Sequence, residues 1–282
     1  MERITLKDKL ASGWGIVVEA FSDVVRSPGW IVKTLQIGLL SLVPIFGAIV
    51  LNGYLFGWAR EAAWGQKRSL PARLLGNEDG KLYWRGWYAF VISLVYGLLL
   101  SFVYAALVAA SQAFFPTAGE QAIALDLYAY AQQRMSIHPA LFAVYYAVSL
   151  VLSPFVLVST MRMSIYGSLG AGLQFGRVFA MIRKGLVGIA VIVVATTVVQ
   201  EAVSALIDPL SKTALSMSFD ALGALGALAG MFAGLAVLAF VNMVSVRAVG
   251  LWTRQFDVPR WRGSIDPMPF ELAEGDASDD GK

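Results

Sequence analysis

The chain has 282 residues, of which 57% are hydrophobic and 15% are charged, and its mean hydropathy is +0.66. These values exclude an ordinary soluble domain and predict an integral membrane protein. The formal charge of +3 is typical of basic cytoplasmic loops, so we expect no nucleic-acid partner, and the lack of cysteine excludes disulfides and thiol catalysis.

The first predicted element is an amphipathic helix in a cytoplasmic N-terminal region, residues 1–28. Apolar residues recur at helical spacing between positions 13 and 26, and the opposite face is polar. Glu19 and Asp23 lie on that polar face, where we expect two solvated carboxylates rather than a catalytic pair. The pattern fits a helix in the membrane surface and equally a helix packed on other protein.

The next segment, residues 29–60, is apolar and is interrupted in its middle by Pro44-Ile-Phe-Gly47. It fits either a hairpin that enters the membrane and returns, or a single kinked span. If it returns, 20 of the 22 Lys and Arg residues lie on one side, whereas a crossing divides them 15 to 7. The positive-inside rule therefore favours the hairpin, although arms this short also fit a re-entrant loop.

Four further segments are apolar and long enough to cross a hydrocarbon core of about 30 Å. They cover residues 87–110, 140–163, 185–207 and 222–248. The predicted fold class is therefore an all-α polytopic membrane bundle with interfacial helices, whose membrane domain covers residues 29–260. Both termini are predicted to be cytoplasmic, and residues 261–282 are predicted to form an acidic, disordered tail.

A second interfacial helix is predicted at residues 173–185, immediately before a span. Its apolar residues share one face, and its basic residues lie elsewhere on the helix. The apolar set is Phe175, Val178, Phe179 and Ile182, and the basic set is Arg177, Arg183 and Lys184.

Several stretches of this sequence resemble a known family. They are FSDVVRSPGWIVK, VPIFG, NGYLFGWAREAAWGQKRSLP and MRMSIYGSLGAGLQFGRVFAMIRKG. Together they resemble the membrane-protein family called domain of unknown function 4013, over roughly residues 15–205. The resemblance implies a polytopic protein of a prokaryotic cell membrane, and it implies no established activity.

Residues with catalytic potential are sparse. His138 is the single histidine, and it lacks the sequence context of a metal site or of a nucleophile and base pair, so we expect an interfacial or capping role. The sequence contains neither a phosphate-binding loop nor a helix with paired histidines. We therefore expect no enzyme, no catalytic residue, no metal and no cofactor.

Three arginines are candidates for lipid or anion binding. Arg60, Arg162 and Arg247 each lie at the predicted cytoplasmic end of a membrane segment. If those ends converge, the guanidinium groups form a basic pocket for a lipid phosphate. The alternative is ordinary anchoring of helix ends by basic residues.

Three other polar residues lie inside predicted membrane segments, where hydrocarbon makes polar groups costly. They are Glu201, Asn52 and Asn242. Glu201 has the chemistry to sense protons or to bind a cation in a transporter. The alternative is that it reaches the interface or bonds to a neighbouring helix.

The last span carries glycines at four-residue spacing, Gly226, Gly230 and Gly234, which predict close helix packing within the chain or between copies. The leading hypothesis is a non-enzymatic membrane protein that binds lipid or scaffolds a partner at the cytoplasmic face. The competing hypothesis is a transporter or permease subunit for a small or amphiphilic solute. The expected partners are membrane lipids and a protein partner or a second copy.

Overall fold

The computed structural model describes residues 6–66, 69–75, 80–114, 138–216 and 221–256. Within these ranges every regular element is a helix, which confirms the predicted all-α class. The helices are α1 (Leu6–Val25), α2 (Trp30–Leu40), α3 (Phe46–Ala63), α4 (Leu82–Phe114), α5 (Pro139–Tyr166), α6 (Leu169–Gly172), α7 (Phe175–Lys184), α8 (Leu186–Ser216) and α9 (Ala221–Thr253), and a 3-10 turn (Arg254–Phe256) follows. The predicted acidic tail lies outside the described residues.

Four of the described helices are long and apolar enough to cross a membrane. Their candidate spans are Leu82–Phe114, Pro139–Tyr166, Leu186–Leu206 and Leu228–Phe256. Each overlaps one of the four predicted spans, and the four helices themselves extend beyond the predicted spans at one or both ends. α2 is apolar but has only 11 residues, which is too short to cross a hydrocarbon core of about 30 Å as a helix.

The chain forms two compact units. The first contains α1–α3, the beginning of α4, the end of α5 and α6–α9, whereas the second covers residues 93–153. Inside the second unit the rings of Tyr104 and Tyr145 meet edge to face at 5.4 Å, and the His138 N–H donates to Ser111 Oγ at 2.9 Å. His138 Nδ1 accepts a hydrogen bond of 3.3 Å from the Ala140 N–H, so the capping role expected for this histidine is confirmed.

α2 runs antiparallel to α9. Near the start of α2, Thr34 Oγ1 lies 3.6 Å from Met243 Sδ. Further along, a Cβ added to Gly38 would lie 3.2 Å from the Leu235 backbone. From the beginning of α2 to its end, the contacts therefore move towards the beginning of α9. The chain then turns at residues 41–45, where Ile45 has a positive φ of 59°.

α3 brings the chain back along α9. The Trp58 carbonyl accepts a hydrogen bond of 3.0 Å from Arg247 Nη1, near the end of α9. After α3, the Leu70 N–H donates to Ser27 Oγ at 3.0 Å, and Lys33 Nζ donates to the Leu70 carbonyl at 2.9 Å. The chain thus returns to the end at which α2 begins, which fits a helical hairpin or a re-entrant loop rather than a single kinked span. The choice between the hairpin and the re-entrant loop stays a prediction. The side of the membrane that this end faces stays a prediction.

The buried core of the first unit lies where α3, the end of α5, α7, the beginning of α8 and the end of α9 meet. Large side chains that are almost completely buried there include Trp58, Trp252, Tyr54 and Tyr166. α3 and α9 touch at backbone distance, since a Cβ added to Gly250 would collide with the backbone of Ala59. By contrast, only 11% and 6% of the apolar windows of α4 and α5 are buried, so most of their surface is available to lipid.

Candidate functional site

Arg247 of α9 joins three helices in the interior. Its side chain is 1% exposed, and Nε and Nη2 lie 2.8 and 2.7 Å from Oδ2 of Asp23 in α1. Nη1 donates to the Trp58 carbonyl, and the guanidinium carbon lies 4.4 Å from the centroid of the Trp58 ring in α3. This combination of an ion pair, a carbonyl bond and a cation–π contact holds α1 and α3 against α9.

Arg162 of α5 makes a comparable set of contacts with α6 and α7. Its side chain is fully buried, Nε donates to the Ala171 carbonyl at 3.1 Å, and Nη2 donates to Gln174 Oε1 at 3.1 Å. Nη1 lies 3.8 Å from Met181 Sδ, and the guanidinium carbon lies 5.0 Å from the Tyr166 ring centroid. Since Gln174 immediately precedes α7, Arg162 holds the start of that helix against the end of α5.

The three arginines predicted to form a phosphate pocket all lie in the protein interior. Arg60 is 6% exposed, and its guanidinium carbon lies 4.7 Å from the centroid of the Trp64 ring. Arg162 and Arg247 direct their nitrogens at different internal partners, on α6–α7 and on α1. Burial and internal partners favour a structural role for these residues over the binding of a lipid headgroup.

The expectation that Asp23 is simply solvated is wrong, because its carboxylate binds Arg247. Glu19, one turn earlier, is exposed. Two small residues of α1, Gly13 and Ala20, are buried and mark the face that packs on the protein. This pattern in the sequence would have identified the inward face of the helix. Asp23 lies beside that face rather than opposite it.

α7 has an exposed surface that is both basic and aromatic. Its apolar residues were predicted to share one face, but the structure divides them into Val178 and Ile182, which are buried, and two phenylalanines that are not. The exposed group, hereafter the α7 surface, consists of Phe175 (51% exposed), Phe179 (54% exposed), Arg183 and Lys184. Exposed aromatic residues and exposed cations on one short helix are typical of a helix in the membrane surface.

α1 also turns aromatic side chains outward. Gly13 packs towards α8, where an added Cβ would lie 3.2 Å from Val191 Cβ, while Trp14 is exposed. Phe21 is exposed as well, although its ring contacts Phe240 of α9 edge to face at 5.6 Å. α1 therefore packs on other helices of the protein along its small residues and leaves its aromatic side exposed. Its position in the membrane surface stays a prediction.

The intramembrane polar residues have different surroundings. Asn52 Nδ2 donates to the Ala48 carbonyl at 2.9 Å inside α3. Asn242 is exposed on α9, and Glu201 is exposed on α8. The structure therefore does not bring these three side chains together into a common polar site within the described residues.

The glycines of the last span also differ from one another. A Cβ added to Gly226 or Gly230 would meet no atom within 4 Å among the described residues, whereas Gly234 is buried. Close packing at Gly226 and Gly230 therefore requires something other than the described part of this chain. The prediction of packing between copies stays open.

A groove of about 830 Å³ lies between α2 and residues 72–75. Its walls are apolar, with Leu39 and Val43 on one side and Leu74 on the other, and its polar side chains are Gln36 and Arg73. An apolar wall beside one cation suits an anionic amphiphile better than a polar solute. The residues that the structure describes contain no group of three His, Asp or Glu side chains placed to hold a metal ion.

Much of this architecture falls within a recognised family. A family model described as "Protein of unknown function (DUF4013)" matches residues 36–210. The chain belongs to this family. The resemblance found in the sequence is thereby confirmed. The matched region contains Arg162 and all the partners described for it, whereas of Arg247 and its partners Asp23 and Trp58 it contains only Trp58. No curated protein and no solved structure matches the chain.

Proposed function

We propose that this DUF4013 protein is a non-enzymatic protein of a prokaryotic cell membrane that binds anionic lipid headgroups on its α7 surface at the cytoplasmic face. The observation that carries the proposal is the presence of two exposed phenylalanines and two exposed cations on one short helix. α7 contains three basic residues and no acidic residue among its ten positions. Its electrostatic preference is therefore for anions.

The position of α7 along the chain supports this assignment. α7 ends at Lys184, and the candidate membrane span of α8 begins at Leu186. We infer that α7 lies at the membrane surface, with its phenylalanine rings in the acyl boundary and its cations facing the phosphates. Each basic residue near an anionic leaflet contributes about 1 kcal/mol to binding.

The Arg162 contacts give the α7 surface a defined geometry. Arg162 binds Gln174 before the helix and contacts Met181 within it, so the backbone of α7 is held before any lipid arrives. A helix that is already ordered loses less conformational entropy when it binds than a free peptide does. In this proposal Arg162 holds the helix that carries the lipid site and does not itself contact the lipid phosphate.

The test is native mass spectrometry of the protein released from vesicles that contain phosphatidylglycerol and a zwitterionic lipid. We expect wild type to retain phosphatidylglycerol and the double variant Arg183→Gln/Lys184→Gln to lose most of it. The matched control is Lys7→Gln/Lys9→Gln, which removes the same charge from α1, where both lysines are exposed. All variants are compared at equal folded fraction.

The outcomes separate three explanations. Equal retention by the α7 double variant and the α1 control would contradict the proposal. Loss of lipid on Arg73→Gln alone would assign binding to the groove beside α2. A stoichiometric protein partner in place of lipid would favour the scaffolding hypothesis.

A further inference from the structure

One face of α9 carries large side chains that the described part of the chain leaves mostly exposed. Leu228, Met231, Leu235, Leu238 and Asn242 follow one another at alternating spacings of three and four residues, which places them on a single helical face. We call this face the α9 seam. Leu235 is partly buried and the other four members are exposed.

Asn242 is the polar member of the α9 seam, and it lies midway along the candidate span Leu228–Phe256. The side chain of Asn52 bonds within its own helix, whereas no hydrogen bond joins the Asn242 side chain to any other described residue. Its neighbours Val241 and Met243 are buried, so the amide points away from the core. An amide that faces hydrocarbon without a partner is costly, and a partner from outside the chain removes that cost.

We propose that the α9 seam is a homodimer interface in which Asn242 of one protomer bonds to Asn242 of a second copy. Two copies inserted in the same membrane have the same orientation, so their α9 helices run parallel and a two-fold axis along the membrane normal brings identical residues together. An amide carries both a donor and an acceptor and is therefore its own complement.

The spacing of the seam supports a second copy over an unrelated partner. In parallel two-stranded helices with alternating spacings of three and four, a single asparagine facing its counterpart specifies register and the number of strands. A different protein would need a polar group at the same depth and an apolar face of the same period. A second copy meets both conditions by symmetry.

The chain contains no cysteine, so cross-linking of single-cysteine variants in native membranes has no background. We expect Leu238→Cys, on the seam, to give an oxidised dimer. The matched control is Val237→Cys, which is also exposed and adjacent in sequence but turned about 100° away around the helix. No dimer from Leu238→Cys, or equal yields from both variants, would overturn the proposed interface.

The role of Asn242 is tested by diluting fluorescently labelled protein in vesicles and following energy transfer between copies. Asn242→Leu keeps the face apolar and should weaken association roughly tenfold, whereas Asn242→Gln keeps the amide and should weaken it less. Association unchanged by Asn242→Leu would overturn the asparagine pair. Lipid retention on the α7 surface is measured on the same samples, so a failure of either proposal is seen separately.

Discussion

The two halves of α9 share one helical backbone but have opposite surroundings. The half that ends at Thr253 is packed in protein and buries Ser245, Arg247 and Trp252. The half that begins the helix is rich in Ala, Gly and Leu, and exposed side chains such as Leu228 lie on it. The buried polar side chains named here thus lie in the packed half of α9, because lipid cannot satisfy a polar group and a neighbouring helix can.

This difference determines what stabilises each half. In the packed half, helices are held by directional bonds and by backbone contact, because apolar surface alone gives little preference for protein over lipid. In the exposed half, an apolar side chain has apolar neighbours whether it lies in lipid or packs on protein, so packing there changes its surroundings little. We therefore expect substitutions of the same kind to have large effects in the packed half and small effects in the exposed half.

The largest effect is expected when the ion pair in the packed half loses its anion. Asp23→Asn leaves Arg247 buried without that countercharge and should lower the free energy of unfolding by about 3 kcal/mol. Glu19→Gln removes the same charge from an exposed position of the same helix and should change it by less than about 0.5 kcal/mol. Unfolding curves in detergent measure both, and equal effects would mean that the pair adds no stability.

A backbone contact gives the next largest effect. The Cβ of Gly250→Ala would collide with the backbone of Ala59, which cannot move aside as a side chain can, so we expect a loss of about 2 kcal/mol. Gly230→Ala on the same helix meets no atom of the described residues within 4 Å and should be neutral or slightly stabilising, since alanine favours helix. Thermal unfolding of the two variants compares the halves directly. A loss of the same size at both positions would contradict the contrast between them.

The helices were predictable from sequence because their signals are local. Apolar length identified the four spans, and helical periodicity identified α1 and α7. Periodicity could not divide the apolar face of α7, where Val178 packs on protein and Phe179 is exposed. The protein interior and the membrane are both apolar, so an apolar helical face does not show which of the two it contacts.

The partners of the arginines could not be predicted in this way. Asp23 and Arg247 are 224 positions apart, and no local pattern relates them. The positive-inside rule places arginines such as Arg162 at helix ends, but it does not say whether another helix covers that end. Here α6 and α7 cover Arg162, so a residue interpreted as facing the interface is fully buried.

A smaller effect is expected for a hydrogen bond at the end of α9. Trp252 Nε1 donates to the Gly185 carbonyl at 3.0 Å, where α8 begins. Trp252→Phe removes the donor and leaves a small cavity at a buried site, so we expect a loss of about 1 to 2 kcal/mol in the free energy of unfolding. Hydrogen exchange of the amides at the beginning of α8 should quicken in this variant. Unchanged exchange there would mean that the bond does not hold the two helices together.

The smallest effect is expected for Val237 in the exposed half of α9. The same substitution at Val249 in the packed half isolates the role of the surroundings. Val249 is fully buried and Val237 is exposed on the same helix, so replacement of each by alanine removes the same two methyl groups. Val249→Ala leaves a cavity between packed helices and should cost about 2 kcal/mol, whereas lipid fills the space left by Val237→Ala and the cost should stay below about 0.5 kcal/mol. Unfolding measured in bicelles tests this pair. A large cost at Val237 would show that protein, rather than lipid, covers that side of α9. Val237 would then be unsuitable as the control position outside the dimer interface.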